Sequence, residues 1–277
     1  MQAGVTAAQE AGLDAAYWRF HDAVARAQLT SWLAGRSRLL IDISGPASPA
    51  AALATSAGHK VLRVTDPKDA VAAGTQAAGP PAAGPRAAEP RAAGTGTALA
   101  PPAAGNAGPG RLRTVAADAS SLQFLADGCA DGLIAEDRTL SRRLAAEALV
   151  TEVCRVLRPG GRVLASVDSL TRGMSVLAEQ NHWPHLIDLP HADVVLVPWP
   201  DGLITRCYGT EQLRELFTST GFEVNWIRPR TVLSASTVGY LLARDPGSFK
   251  RLVEAELRTS ADDSVGGQLV ISATKKS

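Results

Sequence analysis

Apolar residues along the chain fall into short runs separated by turn-forming residues, and the spacing inside the runs alternates between helical and extended. Residues 14–33 place Trp18, Val24, Leu29 and Trp32 at helical spacing behind Asp14, a good N-cap, and predict one amphipathic helix or two. RLLIDI at 38–43 is an apolar run of strand length that ends in a Ser-Gly-Pro turn. Residues 49–58 follow as a helix, with Pro49 in its first turn and Gly58 at its stop. KVLRVT at 60–65 is a second strand, and strand, helix and strand in this order form a parallel βαβ unit.

The pattern continues with strands at 111–117 and 131–136 and a helix at 142–157. Arg158-Pro159-Gly160-Gly161 stops that helix, and a fifth strand ends at Asp168. Residues 171–181 suit a helix, and 192–209 read as a hairpin around Pro200-Asp201-Gly202. Thr210 caps a helix closed by Gly221, and FEVNWIR follows as a strand. Residues 234–258 are helical in two pieces broken near Pro246-Gly247, and GQLVISATKK closes the chain as a strand. The alternation predicts an α/β fold with a doubly wound, Rossmann-like sheet.

Composition changes the picture in one place. Between 70 and 110, 31 of 41 residues are Ala, Gly or Pro, with a drifting AAGPP-like repeat, so the stretch has little to bury and is expected to be a disordered insertion. The expected organisation is a helical cap at 1–37 and one α/β domain at 38–274, carrying that insertion and a lid and hairpin segment at 169–209. A formal charge of +1 supplies no dense basic face for nucleic acid or anionic membrane. No apolar run has membrane-spanning length, and the N-terminus lacks a signal-peptide pattern. Three scattered cysteines form neither a disulfide framework nor a zinc motif, which fits a reduced, cytoplasmic protein.

The order of elements, and above all EVCRVLRPGGRVLASV after the fourth strand, resembles the class I S-adenosylmethionine-dependent methyltransferases, of the type 11 kind. The resemblance covers residues 38–168 and, in strand order, 210–274. It implies seven strands, mostly parallel with an antiparallel last strand, and S-adenosyl-L-methionine as cofactor. It assigns the loop after strand one, Asp42-Ile43-Ser44-Gly45-Pro46-Ala47-Ser48, to the cofactor, with Asp42, Ser44 and Gly45 as contacts. Only one glycine stands in this loop. It assigns Asp66, one residue later than the family's usual acid, to the ribose hydroxyls. Asp118 and Ala119 would meet the adenine, the carboxylate accepting from the exocyclic amine. Asp42 and Asp66 also suit plain turn positions.

Glu136 and Asp137 lie at the carboxyl end of strand four, where open α/β sheets collect ligands. They suit the cofactor's amine, the acceptor or a solvated loop. His182, His185 and His191 cluster after the fifth strand, where histidines can move protons near neutral pH. Tyr17 and Trp18 on the leading helix, and Arg206 and Tyr208 on the hairpin with Trp199, are candidate walls for a substrate. Asn-Pro-Pro-Tyr is absent after strand four, as is G-x-G-x-x-G after strand one. These absences disfavour a nucleic-acid methylase and a dinucleotide dehydrogenase. The expected function is methylation of a small molecule. The alternative is a methyltransferase-like binding or regulatory protein with a degenerate cofactor loop. The closing strand and the leading helix also offer surfaces for a homodimer.

Overall fold

The computed structural model describes residues 7–45, 47–67, 110–188, 194–199, 202–258 and 266–277, with side chains from residue 15 onward. The expected insertion at 70–110 lies outside the described residues except at its last position.

Five parallel strands build the sheet: β1 (Leu39–Asp42), β2 (Lys60–Thr65), β3 (Arg111–Ala116), β4 (Ala130–Ala135) and β5 (Leu157–Ser169). They run in the order β3-β2-β1-β4-β5. A hairpin, β6 (Val195–Pro198) and β7 (Ile204–Tyr208), precedes β8 (Phe222–Pro229) and β9 (Gln268–Lys275). β9 pairs antiparallel with β5 from Arg162↔Thr274 to Asp168↔Gln268, and β8 pairs antiparallel with β9. The doubly wound, mostly parallel sheet with an antiparallel closing strand is thus present.

The hairpin adds two strands to the expected seven. β4 follows β5 only to Ala135↔Ala165, while β7 pairs with Asp168 and Ser169 at the end of β5. Since β9 occupies the other edge of β5 there, β7 takes the edge that β4 has left. The hairpin therefore overhangs the carboxyl end of the sheet.

Helices cover both faces. α1 (Ala7–Leu33) and α2 (Ala50–Ser56) lie on one face, where Leu29, Trp32 and Leu33 meet Leu40, Ile134, Leu164 and Val270. α3 (Ala146–Val156) and, after α4 (Leu170–Glu179) and α5 (Trp183–Asp188), α6 (Thr210–Ser219) cover the other, around Leu133, Val163 and Ile271. α7 (Ala235–Arg244) and α8 (Phe249–Leu257) hold the outer half of α1 through Phe20, Val24 and Val238. None of these helices is long and apolar enough to cross a membrane.

The buried stripe of α1 is Phe20, Val24, Gln28, Leu29, Trp32 and Leu33, which keeps helical spacing throughout. Trp18 is off that stripe, about 200° round the helix from Phe20, and is 48% exposed. Two expected caps move as well. α1 already runs from Ala7, so Asp14 lies inside it. Gly209, not Thr210, precedes α6, and the Gln212 side chain accepts from its N–H at 3.0 Å.

His59 locks α1 to the sheet. Its Nδ1 accepts from the Arg38 N–H at 3.1 Å, so Nε2 carries the proton and donates to the Leu33 carbonyl at 2.9 Å. Burial holds its pKa below the ordinary histidine value, which keeps this neutral form. At the other end of the sheet, Gly160 has φ +74° in the Arg-Pro-Gly-Gly turn, where glycine bears no steric cost.

Gly132 sits where α1 crosses β1 and β4. A Cβ there would lie 2.8 Å from Leu40 Cδ2, 3.2 Å from the Arg162 carbonyl and 3.3 Å from Trp32. Gly132→Ala is expected to destabilise the fold by about 1–3 kcal/mol through overpacking. Urea unfolding measures this, and an unchanged midpoint would show that the α1–sheet junction has slack.

Candidate functional site

The carboxyl ends of β1, β2 and β4 and the loop after β3 converge under the leading helix and the hairpin. Asp42 ends β1 and is fully buried. Its Oδ1 accepts from the Ser44 N–H at 3.0 Å, and Arg63 Nε approaches its Oδ2 at 3.3 Å. Arg63 also donates to the Ser48 carbonyl at 3.0 Å, closing the loop from below. Burial pushes the Asp42 carboxyl up, against the opposing pull of Ser44 and Arg63. Asp42 thus shapes the loop and has both oxygens occupied by the protein.

Ser44 carries the loop to the next strand, its hydroxyl accepting from the Glu136 N–H at 2.9 Å. Beyond it the backbone comes close: a Cβ on Gly45 would stand 2.6 Å from the Asp137 carboxylate. Asp137 and Arg138 have φ of +59° and +58°, two successive non-glycine residues in the left-handed region. Such residues cost on the order of 1–3 kcal/mol each and cluster at ligand sites.

The Gly45–Asp137 contact lies between two cavities. The smaller, about 130 Å³, is bounded by Ser44, Gly45, Asp66, Ala119, Thr139 and the arginines 142 and 143. It has room for roughly four waters. Arg143 lies 3.9 Å from Asp66, and Arg142 lies 3.4 Å from Asp137. Asp118, the residue before Ala119 of this lining, is exposed, and the Ser120 hydroxyl and N–H donate to its Oδ1 and hold the carboxyl below its usual range.

The larger cavity, about 520 Å³, lies between α1, the β1–α2 loop, the ends of β4 and β8, and the hairpin. Trp18, His21, Arg26 and Leu29 line it from α1, and Ser48 and Pro49 from the loop. Its floor is a buried ion pair. Arg230, 1% exposed, reaches the Glu136 carboxylate with Nη2 and Gln28 Oε1 at 2.7 Å with Nη1. Glu136 Oε1 and Arg230 Nε have no hydrogen-bond partner among the described residues. On the far wall Trp199 is held by its own N–H, donated to Thr205 Oγ1 at 2.6 Å. The guanidinium groups of Arg138 and Arg172 stand 5.3 and 5.1 Å from its ring centre.

His21 faces the same cavity. Burial first and the Arg230 charge second hold its pKa below the ordinary value, so the ring is neutral at pH 7. Its Nδ1 has no hydrogen-bond partner among the described residues, and the Asp22 carboxylate is 3.7 Å away.

Several sequence candidates lie elsewhere. His182 and His185 meet edge to face, ring centres 5.8 Å apart, at α5 and line neither cavity, while His191 is outside the described residues. Among the described residues no three His, Cys, Asp or Glu converge as a metal site. Tyr17 bonds Thr231 Oγ1 at 3.0 Å and packs with the α7–α8 cluster. Arg206 and Tyr208 line neither cavity. Arg206 pairs with Glu147 of α3 at 2.5 Å and stacks on the Tyr208 ring at 5.0 Å. Tyr208 is buried in the core of the α3–α6 face. Strand alternation turns these side chains away from the cavity that Trp199 faces.

Comparison with known proteins places this arrangement in a common architecture. No family model matches the chain, and neither does any curated protein sequence. Solved structures do. An S-adenosylmethionine-dependent methyltransferase of Methanosarcina mazei superposes with a TM-score of 0.50 at 16% identity, over 88% of this chain and 94% of its own. The 1,6-didemethyltoxoflavin-N1-methyltransferase of Burkholderia thailandensis, solved with 1,6-didemethyltoxoflavin and S-adenosylhomocysteine, gives 0.51 at 15%, over 100% and 94%. A Listeria monocytogenes protein assigned to the same class gives 0.54 at 11%, over 92% and 99%. The chain has the class I methyltransferase fold.

Two predictions follow from the ion pairs. Glu136→Ala strands Arg230 inside the protein and is expected to cost about 3–5 kcal/mol, whereas Glu136→Leu with Arg230→Met is expected to recover most of it. Denaturant unfolding of both variants measures the difference. For Asp42 the raised native pKa means that its favourable contribution is full below the unfolded value, about 3.9, and is lost as pH rises through the native value. Asp42→Asn is therefore expected to compare better with wild type at pH 7 than at pH 4. The reverse order in paired urea melts would overturn the sign.

Proposed function

We propose that the chain is an S-adenosylmethionine-dependent methyltransferase for a small organic acceptor. The observation that carries this reading is the pair of cavities meeting at Gly45 and Asp137, lined at successive strand ends by Asp66, Ala119 and Glu136. The polar groups suit the cofactor. Asp66 would accept from the ribose hydroxyls, and Asp118 with the Ala119 backbone would hold the adenine. The unpartnered Glu136 Oε1 supplies an acceptor for the ammonium. Ser44 and Gly45 leave the backbone open to close approach, and Asp42 holds that loop from beneath.

When bound, the cofactor supplies a methyl group already activated on a sulfonium. The protein's share is then mainly positioning and exclusion of water. Trp18 and Trp199 form apolar walls on opposite sides of the larger cavity, whose volume suits a small ligand. His21, neutral and on the cavity wall, is the side chain placed to take the acceptor's proton. Opening the passage between the cavities requires Asp137 to leave Arg142. Both are more than one third exposed, and such a pair is worth about 0–1 kcal/mol.

A second reading rests on the same arginines. Arg142 and Arg143 crowd the smaller cavity, as they would if the chain had kept the fold as a binding or regulatory module. Calorimetric titration with S-adenosylmethionine and S-adenosylhomocysteine separates the two. Binding is expected, and Asp118→Ala is expected to weaken it by about 1–3 kcal/mol. No heat at millimolar ligand would sink the methyltransferase reading and favour the module.

A further inference from the structure

The charged groups around the larger cavity do not cancel. Glu136 is taken by Arg230, and Asp137 is drawn to Arg142 on the far side of the partition. Arg138 is held at 3.4 Å by Asp168, a carboxylate with no exposed surface. Arg172 lines the cavity with no carboxylate within ion-pairing distance among the described residues. It is placed rather than loose. Its backbone N–H is capped by Ser169 at 3.1 Å, its stem passes over Gly267, and its guanidinium lies against the pinned indole of Trp199. A planar cation held beside an aromatic wall presents a fork of N–H donors of the geometry that a carboxylate fills.

We propose that the acceptor is an aromatic carboxylate, its carboxylate bound by Arg172 and Arg138 and its ring packed beside Trp199. This deepens the methyl-transfer reading and, as a substrate assignment, rests on it. Four guanidiniums, of Arg26, Arg138, Arg172 and Arg230, face three carboxylates, of Asp22, Glu136 and Asp137, in the lining, and a monoanion matches that excess of one positive charge. A phosphate dianion would bring one charge more than the wall can answer. The apolar surface of Leu29, Pro49 and Trp18 is available to the rest of a planar body. The location also gives the assignment a physical reason: an anionic acceptor is attracted toward a cationic methyl donor, and the Arg172 fork fixes which end of it enters first.

The test uses the full chain and 2-naphthoate, 2-naphthamide and naphthyl phosphate as probes, read by tryptophan fluorescence and calorimetry, alongside S-adenosylhomocysteine. Naphthoate is expected to bind at least tenfold tighter than the amide. Arg172→Gln is expected to remove that preference and leave S-adenosylhomocysteine affinity and the melting temperature unchanged. Arg172→Lys, which keeps the charge and loses the fork, is expected to fall between. Equal binding of naphthoate and amide, or an Arg172→Gln chain that keeps the preference, would overturn the proposal. Tighter binding of naphthyl phosphate would overturn the carboxylate assignment. Absence of S-adenosylhomocysteine binding with naphthoate selectivity intact would remove the methyl-transfer reading and leave the anion site standing.

Discussion

The contact between Glu136 and Arg230 ties together parts of the chain that are distant in sequence. Glu136 follows the central strand β4, Arg230 follows β8 at the far side of the sheet, and Gln28 brings in the leading helix. A buried charge pair of this kind needs its desolvation offset by further hydrogen bonds. Gln28 supplies one, and its own amide reaches back to the Arg230 carbonyl at 3.5 Å. Two atoms, Glu136 Oε1 and Arg230 Nε, are left buried without hydrogen-bond partners among the described residues. The floor of the larger cavity is therefore both a structural joint and an incomplete hydrogen-bond network. The position of α1 over the sheet depends on it at one end and on His59 at the other.

Much of the fold was legible because it follows from local pattern. The apolar runs of β1, β2 and β4 have strand length, and Arg-Pro-Gly-Gly can only be a stop. The hairpin was legible from its turn residues. Its pairing with the end of β5 was not, because two residue pairs at a strand terminus leave no periodic trace. Trp18 was placed in the core by spacing alone. The stripe that is buried starts instead at Phe20, and in a helix whose apolar residues crowd several faces one phase looks much like another.

The site was legible only where a motif marks it. The loop at Asp42–Gly45 and the acids at 66 and 118 stand at the expected strand ends. His21, Arg138, Arg172 and Arg230 carry no signal of their own. Each is a polar residue with no motif around it, and its role arises from partners distant in sequence, Trp199 for Arg138 and Arg172 and Gln28 for Arg230. Histidine counting pointed to His182 and His185 because they are dense in sequence, whereas the histidine that faces the cavity stands alone on α1. Asp42, expected at the cofactor, bonds Ser44 and Arg63 and braces the loop.

The manner in which the hairpin joins the sheet divides the molecule's freedom to change. β6 and β7 join the strand ladder only at Asp168 and Ser169, while the loop at Ser44 is bonded into the central strands. Replacement of residues around Trp199 disturbs few ladder bonds, whereas replacement around Ser44 unseats two strands together. Descendants of this chain can therefore vary the hairpin wall of the larger cavity widely, while the loop at Ser44 is inherited almost untouched.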